Sequence, residues 1–140
     1  MNSQICIADA DFLISIVWSE DVNHKNVLNI LTKLNTDKAI VIHPESAIIE
    51  AATTLLRKYG RPDLANDLLN GYKSVNLSVG GVTSDEFINS IQYFDPNGSK
   101  QNTPFDCLIL SIAKSHKAEV ILSFDGWYIN KGFQTAYDLL

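Results

Sequence analysis

Four acids in this 140-residue chain stand where one element gives way to the next: Asp9, Glu50, Asp106 and Asp125. Asp9 directly follows the apolar run Ile5, Cys6, Ile7 and Ala8, with Asp11 close behind it, and Asp125 ends a second apolar run at residues 118–124. Runs of this kind suit strands buried on both faces of a parallel sheet, although periodicity alone does not separate them from a buried helical turn. Open α/β sheets bind ligands at the carboxyl edge of their strands, where both acids would emerge. Carboxylates gathered on one rim repel and raise one another's pKa unless a cation offsets their charge. Magnesium and manganese suit such a site, as hard ions that prefer oxygen ligands. Zinc does not, because His24, His43 and His116 lie in separate segments without ligand spacing.

Each acid also has an ordinary structural reading. Asp9 or Asp11 suits the N-cap of the helix that follows. Asp106, in Thr103-Pro104-Phe105-Asp106, sits where a capping-box partner belongs and where the helix dipole favours negative charge. Asp125 before Gly126 is a common turn pair. Glu50, at about 100° per residue, lies roughly 160° from the centre of the stripe formed by Ile48, Ile49, Ala52, Leu55, Leu56 and Tyr59. A solvated glutamate and one facing a wet groove both satisfy that angle.

The elements that must position these side chains follow from the pattern. After the first strand, a short helix is expected over residues 11–18 and a second over 24–34, with Val27, Leu28, Ile30, Leu31 and Leu34 as its apolar side. Residues 39–42 read as a strand, Pro44 opens a helix that Gly60 ends, and Pro62 starts another that runs to about residue 72. Residues 74–79 alternate like a strand that Gly80 and Gly81 break, and a helix capped by Ser84 is expected over 84–94. A polar loop at 95–102 precedes a helix that starts at 103–106 and carries Cys107, Leu108, Leu110, Ile112 and Ala113. Residues 118–124 give the next strand, and the remainder holds turns and one short edge strand. Strands alternating with helices predict one domain over residues 1–140, a three-layer α/β/α sandwich around a mainly parallel sheet.

With 46% hydrophobic residues and few Gly or Pro, the composition excludes a disordered or low-complexity chain. Cys6 and Cys107 fall in apolar runs and read as reduced core residues of a cytoplasmic protein. The opening MNSQICIADA lacks a basic flank and a long apolar stretch, so neither a signal peptide nor a membrane span is expected. A net charge of −5 argues against holding nucleic acid by bulk electrostatics. It does not argue against a nuclease, since acids gathered around metal ions become locally electropositive once the metals bind.

Taken together, the residues resemble a known family, the PIN domain, and within it the small VapC-like ribonucleases. Asp9 in IADADFLI resembles the family's opening aspartate, with Asp11 where an Asn or Ser is usual. Glu50 in HPESAIIEAATTLLRKYG resembles its glutamate helix. Asp106 in TPFDCLILSIAKSHKAEVILSFD resembles its third acid, and Ser123 with Asp125 its Thr/Ser-x-Asp ending. The match runs from about residue 5 to 126. The resemblance implies an α/β/α fold and a metal-dependent endoribonuclease. One or two Mg²⁺ or Mn²⁺ ions held by Asp9, Asp106 and Asp125, with Glu50 near them, would activate water for attack on an RNA phosphodiester. Asp11 and Ser123 would support that site. The resemblance further implies a homodimer and an antitoxin that covers the groove, making the chain the toxin of a toxin–antitoxin pair. Asp11 adds an acid that bears on metal affinity, and Lys100 in the 95–102 loop either approaches substrate phosphate or is solvated.

Two other readings stay open. A PIN-like module without activity would serve as a dimeric binding scaffold, against which the complete acid set argues. A phosphoacceptor receiver domain would need an aspartate after its central strand and a lysine after a later one. SVNLSVGG ends without an acid, and ILSFDGW offers no lysine.

Overall fold

Five strands, β1 (Ile5–Ala8), β2 (Ile40–Pro44), β3 (Val79–Gly80), β4 (Val120–Leu122) and β5 (Gln134–Thr135), pair in the order β3-β2-β1-β4-β5. Every pairing is parallel, so the sheet expected to be mainly parallel is wholly so. The structure is a computed structural model that describes residues 3–74 and 77–140. Cys6, Ile7 and Ala8 of β1 and all of β4 are fully buried, as unbroken apolar runs demand of strands covered on both faces.

Among the described residues, six α-helices connect the strands: α1 (Ala10–Val17), α2 (His24–Thr36), α3 (Glu45–Arg57), α4 (Pro62–Gly71), α5 (Ser84–Ser90) and α6 (Pro104–Ser115). The chain leaves β1 for β2 on one side and later returns to place β4 on the other. Right-handed crossovers then put α1 to α4 on one face and α5 and α6 on the opposite one. In keeping with this, α1, α3 and α4 pack on one another and α5 packs on α6. The direction of travel reverses between β1 and β4, which opens a crevice at their carboxyl ends. The register Ile7↔Ile121 and Ala8↔Leu122 levels those ends, and the Asp9 amide donates to the Leu122 carbonyl at 3.1 Å.

Several elements differ from the sequence expectation. Of the strand expected over 74–79, residues 75 and 76 lie outside the described residues, and β3 is only Val79–Gly80. Gly80 belongs to the strand instead of breaking it, because a Cβ there would come within 3.0 Å of Ile42 Cγ2. Thr83, not Ser84, caps α5: its hydroxyl accepts from the Glu86 amide at 3.1 Å, and Glu86 Oε1 accepts from the Thr83 amide at 2.9 Å. That helix stops at Ser90 and passes into a 3-10 turn, Ile91–Tyr93. Pro44 closes β2 and serves as N-cap of α3.

The largest correction concerns α3. Its buried side is Ala47, Ile48, Ala51, Ala52 and Leu55, whereas Ile49, Leu56 and Tyr59 are exposed. Alanines let α3 press closely against α1 and α4, which large side chains at those positions would prevent. Glu50 stays well off this stripe, half-buried, and lines the crevice.

Candidate active site

Asp9 leaves β1 as the N-cap of α1 and is 4% exposed. Its Oδ1 accepts from the Ala10 amide at 2.8 Å, and its Oδ2 accepts from the Tyr128 hydroxyl at 2.7 Å. Asp106 sits in the first turn of α6, where Oδ2 accepts from the Thr103 amide at 2.9 Å and Oδ1 lies 3.3 Å from the same Tyr128 hydroxyl. Asp125 follows β4: Oδ1 accepts from the Trp127 amide at 2.9 Å and Oδ2 from Asn102 Nδ2 at 3.2 Å.

Asp11 ties the start of α1 to the end of β4. Its Oδ2 accepts from the Phe124 amide at 2.8 Å and the Ser123 hydroxyl at 3.2 Å, and its Oδ1 from the Phe12 amide at 2.9 Å. Ser123 in turn accepts from the Asp125 amide at 3.0 Å, so this serine orients one acid and the backbone of another. Glu50 reaches in from α3, and its Oε2 is buried with no hydrogen-bond partner among the described residues. Asp9, Asp11, Glu50, Asp106, Ser123 and Asp125 together line one cavity of about 210 Å³.

The electrostatics follow from that gathering. Burial, and then the charges of Asp11 and Asp106, push Asp9 well above the usual carboxylate range, and the hydrogen bonds from Tyr128 and Ala10 pull it back only in part. Burial, with Asp106 and Asp11 adding to it, lifts Glu50 to about 7. Asp11 is lifted to about 6 by burial, against its three hydrogen bonds. Burial raises Asp106 as well, the Thr103 amide opposing and the Asp125 charge adding.

Among the described residues, no three His, Cys, Asp or Glu side chains form a ready-made set around one point. Each of Asp9, Asp106 and Asp125 has one oxygen turned to a backbone amide and the other toward a side chain in or beside the cavity. The donor set nonetheless fits a hard divalent cation. It consists of carboxylate oxygens at a polar cavity, it carries mutual repulsion, and it includes the orphaned Glu50 Oε2. A larger cavity of about 590 Å³ lies between α1, α2, β2 and α4, but Leu13, Leu31, Leu34 and Leu68 dominate it and Asp67 is its one acid. The chemistry therefore belongs to the smaller cavity.

Sequence reasoning missed three contributors. Tyr128 lay in a tail read as turns and one short edge strand, and nothing in its type distinguishes a bridging hydroxyl from an ordinary core ring. Gln101 lines the acid cavity and Asn102 bonds Asp125, so the 95–102 loop does reach the site. Lys100 is exposed and is not among the lining residues.

The sequence profile of the PIN domain matches residues 6–132. The chain belongs to the PIN domain family. VapC20 of Mycobacterium tuberculosis, described as a sarcin–ricin loop cleaving toxin, superposes with a TM-score of 0.75 at 18% identity, covering 91% of this chain and 95% of that one. VapBC2 of Rickettsia felis, solved with a DNA fragment from its promoter, gives 0.62 at 12% identity, covering 94% and 97%. At these identities the likeness shows the fold of this PIN domain. No curated protein matches it.

The raised acids make stability fall with pH. Asp11, ordinarily at 3.8, and Glu50, ordinarily at 4.5, keep protons when folded that the unfolded chain has released. Their contribution is complete below those ordinary values and is lost as pH rises through about 6 and about 7. Thermal melts in EDTA should show Tm falling from about pH 5 to about pH 7.5, less steeply in Glu50→Gln. A Tm that is flat or rising across that window, with Glu50→Gln no different, contradicts this assignment.

Proposed function

We propose that this PIN domain is a metal-dependent endoribonuclease, the cytoplasmic toxin of a toxin–antitoxin pair. The observation that carries the reading is the convergence of Asp9, Glu50, Asp106 and Asp125, from four separate segments, on one cavity. Asp9, Asp106 and Asp125 would hold Mg²⁺ or Mn²⁺. When bound, the cation supplies the Lewis acidity that activates water and offsets charge on the scissile phosphate. Glu50 Oε2, the carboxylate oxygen without a partner, takes the proton the attacking water gives up. Asp11 and Ser123 fix the end of β4 against α1 and so aim Asp125. RNA as substrate and an antitoxin as partner draw support from the family resemblance and from the likeness to VapC20 and VapBC2.

A homodimer is part of the same proposal. Phe87, Ile88, Ile91 and Phe94 on α5 and the turn after it are large apolar side chains left in solvent. A second copy of the chain would bury them. Sedimentation should give a dimer that Ile91→Glu splits into folded monomers, whereas a monomeric wild type contradicts it.

Cleavage of structured RNA should require Mg²⁺ or Mn²⁺. Asp9→Asn should cut the rate by more than the roughly 10- to 100-fold typical of losing a metal's outer partner. It should leave the melting temperature in EDTA equal or higher, because the amide cannot ionise and so escapes the burial cost and the repulsion from Asp11 and Asp106 that the carboxyl meets. Expressed alone, the wild type should arrest growth of its host and Asp9→Asn should not. Cleavage that persists in Asp9→Asn with the metal removed would overturn the mechanism.

A further inference from the structure

Tyr128 is the largest fully buried side chain among the described residues. A ring of this size needs no oxygen for its packing, since phenylalanine fills the same volume. Its hydroxyl, however, lies 2.7 Å from Asp9 Oδ2 and 3.3 Å from Asp106 Oδ1. One hydroxyl carries one proton, so the shorter contact is the donated bond and the second carboxylate oxygen stands beside the same oxygen atom. The two acids come from opposite sides of the sheet, Asp9 from the start of α1 and Asp106 from the start of α6. Among the described residues, this hydroxyl is the one side-chain group within hydrogen-bonding distance of both.

The segment that delivers Tyr128 is itself anchored to the third acid. Gly126–Lys131 forms a 3-10 helix whose N-cap is Asp125, through the 2.9 Å bond from the Trp127 amide. Trp127 packs edge-on against Tyr128 with ring centroids 5.3 Å apart. One short segment therefore fixes Asp125 at its start and Asp9 and Asp106 at its first turn.

We propose that the Tyr128 hydroxyl is a positioning group that holds Asp9 and Asp106 together in readiness for a divalent cation. The inference rests on the nuclease reading above and names a residue through which that site is organised. Donors of this kind, one bond removed from the ion, lock the rotamers of the carboxylates that meet it. Without the hydroxyl, Asp9 Oδ2 loses its one side-chain donor among the described residues, and the pair loses the group between them.

Calorimetric titration of Mn²⁺ into wild type and Tyr128→Phe, with melts of both in EDTA, tests this. Tyr128→Phe should melt cooperatively yet bind Mn²⁺ about 10- to 100-fold more weakly, with cleavage restored at high Mn²⁺. Equal or tighter binding in Tyr128→Phe overturns the inference and leaves the nuclease reading standing. No Mn²⁺ binding by wild type overturns both. A second reading needs no variant: with tyrosine labelled at Cζ, the Tyr128 signal should shift on Mg²⁺ titration and saturate with the calorimetric curve. A signal unmoved at saturation overturns the inference independently of how Tyr128→Phe folds.

Discussion

Like charges held together out of water are the constraint around which this fold is arranged. Asp9, Asp11, Glu50 and Asp106 are all pushed above the usual carboxylate range, chiefly by burial and then, in each case, by a neighbouring acid. Among the described residues, no Lys, Arg or His lines their cavity. The chain offsets the repulsion with neutral donors instead: the amides of Ala10, Phe12, Thr103, Phe124 and Trp127, and the hydroxyls of Ser123 and Tyr128. Most of the amides are supplied locally by caps, whereas the Phe124 amide and the Ser123 and Tyr128 hydroxyls come from the far end of the chain and reach Asp11 and Asp9 because the β1 and β4 ends are level.

The same carboxylates serve both structure and site. Asp9, Asp106 and Asp125 each commit one oxygen to capping a helical segment and direct the other to a side chain in or beside the cavity. A cap therefore does not compete with a ligand here. It fixes the side chain that a cation would then meet, and the helix dipoles at the starts of α1 and α6 favour the negative charge there.

Most of the fold was legible because each segment carries its own signal. The buried runs at Ile5–Ala8 and Val120–Leu122, the cap at Thr103 and the breaks at Gly60 and Pro62 all place elements without tertiary help. Where the reading failed, tertiary packing had overridden size. In α3 the small Ala47 and Ala51 are buried while the larger Ile49 and Leu56 are exposed, so the expected stripe kept Ile48, Ala52 and Leu55 but was rotated about the helix, and its angle to Glu50 did not by itself choose between solvent and the crevice. The acids were legible as a set because they punctuate elements. Tyr128 and Asn102 were not, since their roles depend on contacts 119 and 23 positions away along the chain. No local pattern encodes those contacts.

The claim on which all of this turns is that acids from β1, α3, α6 and the end of β4 share one divalent cation. Anomalous diffraction at the manganese edge, from crystals grown with Mn²⁺, measures it directly. The predicted result is a peak in the cavity bounded by Asp9, Glu50, Asp106 and Asp125, coordinated by Asp9 and at least one of the others. An empty cavity at saturating Mn²⁺, with the capping and tyrosine bonds unchanged, would contradict it.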